Sequence, residues 1–332
     1  MRREGLARIL VIFLLATAIS IPAVAWWQRS QGIVMHARMA ETGGWTPENL
    51  TVAVDEPLHL RLTSDDVTHS FAIGQSDQPP VDVIPGEMTE VTLFFDRPGK
   101  YTFYCARWCS VNHWRMRGTI EVTGPTTTTE AVKPPLYVTL GLDIDAEHHA
   151  DVIPAQKPSA LRGALLNQSM PPVYLSREYY LTHTPFELWQ TLRTEPAYQQ
   201  LTEQDVWDLV AWVWQSNATP QALSASRQLY STNCSACHGE TGAGDGVFAE
   251  ELAQPVDAEH AEMQTGQMAT RPIDFTDPNH MLSASPAHLQ GKIIRGGMGT
   301  GMPYWGPIFT EDQTWALVAY LWTFQFEMEK KP

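Results

Sequence analysis

Cysteine is scarce in this chain, four in 332 residues, and all four fall in two short runs. None is left over for a structural disulfide, so cysteine usage alone does not report the redox compartment. Basic residues are also few: 22 Lys and Arg stand against 37 Asp and Glu, a formal net charge of −15. No basic surface is available to neutralise phosphates, which argues against nucleic acid. The acidic balance fits steering onto a basic soluble partner, or else a plain solvated surface. Long apolar runs are missing too, except one at 9–27.

That run holds nineteen uncharged, mostly apolar residues, about the length that spans a bilayer as a helix. Arg2, Arg3 and Arg8 precede it, the arrangement that keeps a leading segment in the cytoplasm. Trp26 and Trp27 fit the outer interface. The expectation is a single retained membrane anchor within 1–28. A cleaved signal peptide is the alternative, since Ala23-Val24-Ala25 has the small-x-small form. Both readings export everything that follows.

What remains is long enough for two or three domains. From 45 to 123 the sequence is strand-like. Residues 50–54, 58–62 and 91–95 are β-rich, and the second run alternates cleanly. Turn signals at Pro79-Pro80, Pro85-Gly86 and Pro98-Gly99 punctuate the later part. Short strands over this span predict a small β-sandwich, bounded here as 29–124. A linker follows over 125–135, low in complexity at 126–129 and closed by Pro134-Pro135.

The rest is helix-like and carries an internal repeat. Residues 201–214 echo 309–322: each begins with a Thr N-cap and an acidic first turn, then becomes an apolar helix. Pro185-Phe186-Glu187-Leu188 matches Pro286-Ala287-His288-Leu289, and Pro172 falls where Pro272 does. The repeat divides the helical part into 136–216 and 217–332. Two unrelated amphipathic segments are the alternative.

The first cysteine run is Cys105-Ala106-Arg107-Trp108-Cys109, followed by His113 and Met116. Two thiolates at this separation can both bridge a pair of copper ions. Soft sulfur suits Cu(I), and imidazole tolerates both copper oxidation states. A single-cysteine copper site would need one thiol only, so the second argues for a binuclear centre. His69, from an earlier strand, is the candidate distant ligand. Structural zinc on the same residues is the alternative, although zinc sites seldom recruit Met.

The second run, Cys234-Ser235-Ala236-Cys237-His238, has the form of a covalent haem attachment site. Cys234 and Cys237 are the thioether positions and His238 the proximal iron ligand. A glycine-rich loop follows at 239–246. The sixth ligand is expected from a loop before the last helix, where Met298 and Met302 both stand. Arg295 pairs with a haem propionate, or is a solvated helix-end residue. Outside these motifs the histidines show no spacing with matched ligands. His148-His149 reads as an exposed turn, with weak metal binding as the alternative.

Residues 45–123 resemble the CuA cupredoxin domain of cytochrome c oxidase subunit II and of nitrous-oxide reductase. The likeness rests on Cys-x-x-x-Cys-x-x-x-His-x-x-Met at 105–116, on Thr63-Ser64-Asp65-Asp66-Val67-Thr68-His69-Ser70-Phe71, and on the turn Val83-Ile84-Pro85-Gly86. It implies a binuclear copper CuA centre held by His69, Cys105, Cys109, His113 and Met116, with the backbone carbonyl of Arg107. Oxidase subunits usually carry Glu or Gln at that carbonyl position, and nitrous-oxide reductases Trp. Residues 218–326 resemble a class I cytochrome c with one covalently bound haem c, and the family pattern Gly-Thr-Gly-Met-Pro selects Met302. Residues 136–216 resemble that domain in outline. They lack the Cys-x-x-Cys-His and any equivalent of the 299–305 loop, so they read as a haem-less cytochrome c-like domain. The expected fold class is multidomain: an N-terminal membrane helix, an all-β cupredoxin sandwich, then all-α cytochrome c-like domains.

The resemblance implies a non-catalytic electron-entry subunit of a cytochrome c oxidase complex. Its route runs from a soluble donor, a cytochrome c or small copper protein, through haem c and CuA to the catalytic subunit of a haem–copper oxidase. The chain has no bundle of histidine-bearing membrane helices, so oxygen reduction is assigned to a partner. Covalent haem attachment implies redox domains on the periplasmic side of a bacterial cytoplasmic membrane. The alternative is a membrane-attached redox carrier donating to a nitric-oxide or nitrous-oxide reductase or another acceptor.

Overall fold

The structure is a computed structural model that describes residues 13, 17, 18, 32–76, 78–110, 112–125, 133–166, 170–254, 271–297 and 300–328. Two compact units emerge: Met1–Ile73 with Gln78–Thr129, and Gly74–Asp77 with Glu130–Pro332. The run expected to span a membrane lies almost wholly outside the described residues, as does most of the 125–135 linker. Among the described residues no helix is long and apolar enough to cross a bilayer.

The first unit is the expected β-sandwich. One sheet runs in the order β2 (Trp45–Thr46), β1 (Ile33–Ala37), β4 (Leu58–Ser64), β7 (Thr89–Leu93). The other runs β3 (Asn49–Ala53), β9 (Arg117–Thr123), β8 (Gly99–Cys105), β5 (His69–Ile73), β6 (Val81–Val83). The β1–β4 and β3–β9 pairs are parallel, and the other neighbours antiparallel.

Alternation decides which face is inside. In β4, Leu58, Leu60 and Leu62 are buried and His59 is exposed; in β9, Ile120 and Val122 are buried. These side chains meet Trp45, Phe71 and Phe103 in one core. Trp45 stands edge-on to Phe71 at 5.6 Å and to Phe103 at 5.9 Å. Burying each such ring is worth about 1.5–3 kcal/mol. β5 is buried at every position, so it shows no alternation to read. The strand expected at 91–95 begins two residues earlier, although Phe95 still reaches the core.

The second unit is helical. Its elements are α1 (Leu136–Thr139), α2 (Ala160–Leu166), α3 (Arg177–Thr182), α4 (Pro185–Thr194), α5 (Glu203–Ser216) and α6 (Pro220–Asn233), then α7 (Ser235–His238), α8 (Ala249–Leu252), α9 (Pro278–Met281), α10 (Pro286–Arg295) and α11 (Glu311–Gln325). The repeat is visible at the helix starts. Thr202 opens α5 and Thr310 opens α11, each closing a capping box, with Asp205 and Gln313 respectively. Thr184 and Ser285 cap α4 and α10, both of which begin with proline. Pro172 starts a 3-10 turn whereas Pro272 lies in irregular backbone, so that match does not extend to local structure. Proline fixes only its own φ, which both settings accept.

The segments 136–216 and 217–332 lie within one compact unit. Trp214 and Trp322, equivalent in the repeat, meet edge-to-face at 6.1 Å. Ser159 bridges to Glu327 across the two segments. α2 crosses α5 at Gly163, where an added Cβ would lie 2.0 Å from the Asp208 carbonyl oxygen. Asp208 is buried, and its carboxylate accepts from the Ser159 N–H at 2.8 Å and from Arg162 Nε at 2.6 Å.

Candidate metal centres

The copper-type constellation is assembled from β5, the end of β8 and the loop leading into β9. Register places Phe71 opposite Cys105. His69 is two residues before Phe71, so it projects from the same face toward the same end. Its Nδ1 lies 3.9 Å from Cys105 Sγ. The donor atoms of His69, Cys105 and Cys109 all lie within 4.8 Å of one another. Cys109 Sγ is 3.4 Å from Met116 Sδ, and Cys105 Sγ is 3.2 Å from the Arg107 carbonyl oxygen. His113 opens a 3-10 turn and is buried; its Nδ1 has no hydrogen-bond partner among the described residues. A buried polar atom left unpaired is costly unless something occupies it.

Backbone and side-chain contacts hold this loop. The Met116 carbonyl accepts from the Cys105 N–H at 3.0 Å and from Trp45 Nε1 at 3.2 Å. The Ala106 N–H donates to the Ser70 carbonyl at 3.3 Å. The Arg107 guanidinium binds both carboxylate oxygens of Asp82 at 3.0 Å. His69 Nε2 lies 2.7 Å from Asp66 Oδ1, which leaves Nδ1 as its free donor. Burial works against ionisation of Asp66. Even so, the Met39 N–H, the His69 ring and the Val67 N–H hold its carboxyl below the usual range.

The two thiols differ. Cys109 donates to Cys105, and the His113 and His69 rings add to the effect, so the Cys105 thiol is pulled down against the penalty of burial. Cys109 is pushed up by that same contact and by burial. Two thiols, a thioether, two imidazoles and a carbonyl are a donor set that suits copper, and the neighbouring Met116 sulfur favours it over zinc.

The haem-type constellation lies in the second unit. Cys234 ends α6, Cys237 and His238 end α7, and both thiols are free and half-buried. His238 Nδ1 is 3.2 Å from the Ile273 carbonyl, which can only accept, so Nδ1 carries the proton and Nε2 is left for iron. The His238 ring stacks on Phe275 at 4.6 Å. Burial pushes the His238 pKa down to about 4, against the Ile273 carbonyl, so the ring is neutral at neutral pH. Burial also pushes Cys234 up to about 12, with Cys237 adding, and Cys237 up to about 11. The loop after His238 turns back at Gly244, whose N–H donates to the His238 carbonyl at 2.9 Å and whose φ is +70°. Tyr230 Oη donates to the Gly239 carbonyl at 2.8 Å. These residues fit a covalently held haem.

Met302 is half-buried on the loop before α11, and its carbonyl accepts from the Gly297 N–H at 3.1 Å. Met298 lies outside the described residues. Arg295 is neither a solvated helix end nor free: it grips both carboxylate oxygens of Asp145. Asp66, Trp45 and Ile273 were missed in the sequence. Only Asp66 carried a signal, its place three residues before His69. Of His148-His149, expected as an exposed turn, His149 is exposed, whereas His148 is half-buried with its ring centre 4.6 Å from that of His288.

Fold and sites together define a cupredoxin-type domain joined to a cytochrome c-type domain. Residues 37–123 match the family model for the periplasmic domain of cytochrome c oxidase subunit II, and residues 223–325 match that for cytochrome c. Cytochrome c oxidase subunit 2 of Thermus thermophilus is 35% identical over 79 residues, 24% of this chain and 58% of the relative. The same subunit of Chondrus crispus is 31% identical over 74 residues, 22% of this chain and 29% of the relative. The chain spans about half the length, 58% and 46%, of the first curated relatives it matches. Among solved structures, the periplasmic domain of subunit II of the Bradyrhizobium japonicum oxidase shares 27% identity. That match covers 23% of this chain and 54% of the other, at a TM-score of 0.21, too low to carry an argument. The chain therefore combines a region similar to the periplasmic domain of oxidase subunit II with a region similar to cytochrome c. The first implies copper and the second haem.

Proposed function

We propose that this chain is the electron-entry subunit of a haem–copper terminal oxidase, anchored in a bacterial cytoplasmic membrane with its redox domains on the periplasmic side. It passes electrons from a soluble donor, through one covalently bound haem c and a binuclear CuA centre, to a separate catalytic subunit. The observation that supports this reading is the coexistence in one chain of a copper-type cysteine cluster and a haem-type cysteine motif, each inside the matching family region. When bound, the copper pair and the haem supply reversible one-electron chemistry.

The chain's own residues supply position and polarity. Cys105, Cys109, His69, His113, Met116 and the Arg107 carbonyl would hold the copper. Asp66 fixes the His69 ring. Trp45 and the β8–β9 backbone keep the loop from relaxing, so the ligands do not have to reorganise. In the second unit Cys234 and Cys237 would tether the haem, the Ile273 carbonyl orients His238, and His238 and Met302 would hold the iron. A thioether in that role would raise the haem potential relative to two imidazoles. The domain bounds that go with this reading are 29–124 for copper, 136–216 for a haem-less cytochrome c-like segment and 217–332 for haem. The net charge of −15 fits a basic donor docking by long-range attraction.

The test is copurification. In detergent, the tagged chain should come out with a many-helix haem–copper partner and should support oxygen uptake with a reduced donor. Recovery of the chain alone, still reducible, would overturn the oxidase assignment in favour of a free carrier.

A further inference from the structure

Four histidines that sequence spacing leaves unrelated come together in the second unit. His148 and His149 lie just before Ala150, His280 is in α9 and His288 is in α10. The ring centres are 4.6 Å apart for His148 and His288, 6.4 Å for His148 and His280, and 5.2 Å for His149 and His280. With zinc–nitrogen bonds near 2 Å, two imidazoles on one tetrahedral ion have ring centres about 5 Å apart. Two of the three spacings, 4.6 and 5.2 Å, are close to that separation, and the third, 6.4 Å, is wider.

A second observation concerns orientation. Ser283 Oγ donates its hydrogen to the carbonyl of Asn279 at 2.9 Å or of His280 at 3.1 Å. It therefore accepts from His148 Nδ1, which lies 2.8 Å away. The proton sits on Nδ1, and Nε2 of His148 is the free donor. Metal-bound histidines are commonly held in this way, by an acceptor on the other ring nitrogen. The backbone is already fastened here, since the Ala150 N–H donates to the Asn279 carbonyl at 3.0 Å. Among the described residues only His69, Cys105 and Cys109 bring three donor atoms within 4.8 Å of one another. Closure here requires His149 or His280 to turn, and His149 is exposed and His280 half-buried.

We propose that His148, His149, His280 and His288 form a binding site for a divalent transition cation of the zinc class, which clips residues 143–150 onto α9 and α10. All-nitrogen ligation selects zinc or copper(II) over magnesium or calcium, which prefer oxygen. The site shares no residue with the two redox constellations and does not depend on the oxidase assignment.

The experiment uses the full chain loaded with copper and haem and then stripped of loosely held metal. Zinc is titrated by calorimetry, with metal counted by mass spectrometry. The expected result is one zinc per chain and a rise in the melting temperature of the haem unit. Affinity should fall about tenfold or more in the His148→Gln/His288→Gln double variant, with the haem and copper spectra retained. If that variant does not accumulate, His149→Gln/His280→Gln makes the same test at the more exposed pair. Absence of stoichiometric zinc, or equal affinity in wild type and whichever variant is measured, overturns the proposal.

Discussion

The two cysteine pairs of this chain are spaced almost alike and are treated in opposite ways. Cys105 and Cys109 sit at the end of a β-sandwich and face one another with His69, His113 and Met116 alongside, so the Cys105 thiolate is favoured. Cys234 caps the short helix α7 and Cys237 lies within it, and burial pushes both thiols up. Under the proposed function the first pair, with donors alongside, would hold metal directly, and the second would be joined to a porphyrin with the neighbouring His238 as an iron ligand. One added residue between the cysteines matters less than what the fold sets against them.

The largest test of this contrast is Cys109→Ser. It should abolish the mixed-valence dicopper EPR signal and leave the c-type haem bands untouched; a persisting signal refutes the copper assignment. The reciprocal change is Met302→Ala, which should remove low-spin methionine ligation from the haem spectrum while the copper signal stays. An unchanged spectrum would move the axial role to Met298.

Asp66→Asn should be milder, because it removes no ligand. It loosens the His69 ring, and copper affinity measured by competitive chelation should fall about 10–100-fold. Gly163→Ala sharpens the contrast from the haem side. Its Cβ meets the Asp208 carbonyl at 2.0 Å, and the overpacking should cost about 1–3 kcal/mol in denaturant unfolding of the helical unit, with the copper signal unaffected.

Asp145 gives the smallest effect. Arg295, and then Lys292, hold its carboxyl well below the usual 3.8. Its stabilising contribution is therefore present above pH 3.8 and is lost as the pH falls further below. The pair is half exposed and screened by solvent, so Asp145→Asn should change stability by less than about 1 kcal/mol at neutral pH, measured by thermal melting.

Much of the molecule was legible before folding was considered. Strand alternation in β4 and β9 marked the sandwich, and the Thr N-caps of α5 and α11 marked the repeated helices. β5 was legible only by resemblance, since a strand buried on both faces shows no period. His69 was found by motif, but Trp45, which holds the Met116 carbonyl from 71 residues away, left no trace in sequence. Ile273 escaped for a different reason: it orients His238 through its carbonyl, which every residue has. Arg295 was legible as a charge near the haem loop, yet its partner Asp145 lies 150 residues earlier.

By itself the sequence determined the chemistry available: two cysteine motifs with their local His and Met donors, the order of β and helical regions, and the acidic balance. Those follow from residue type and short-range spacing, which the chain carries whether folded or not. Only tertiary structure decided which nitrogen of His69 and of His238 is free, what holds the copper-type loop, and that four histidines from three segments share one patch. Such choices depend on contacts between elements distant along the chain, which exist only once the cores have closed.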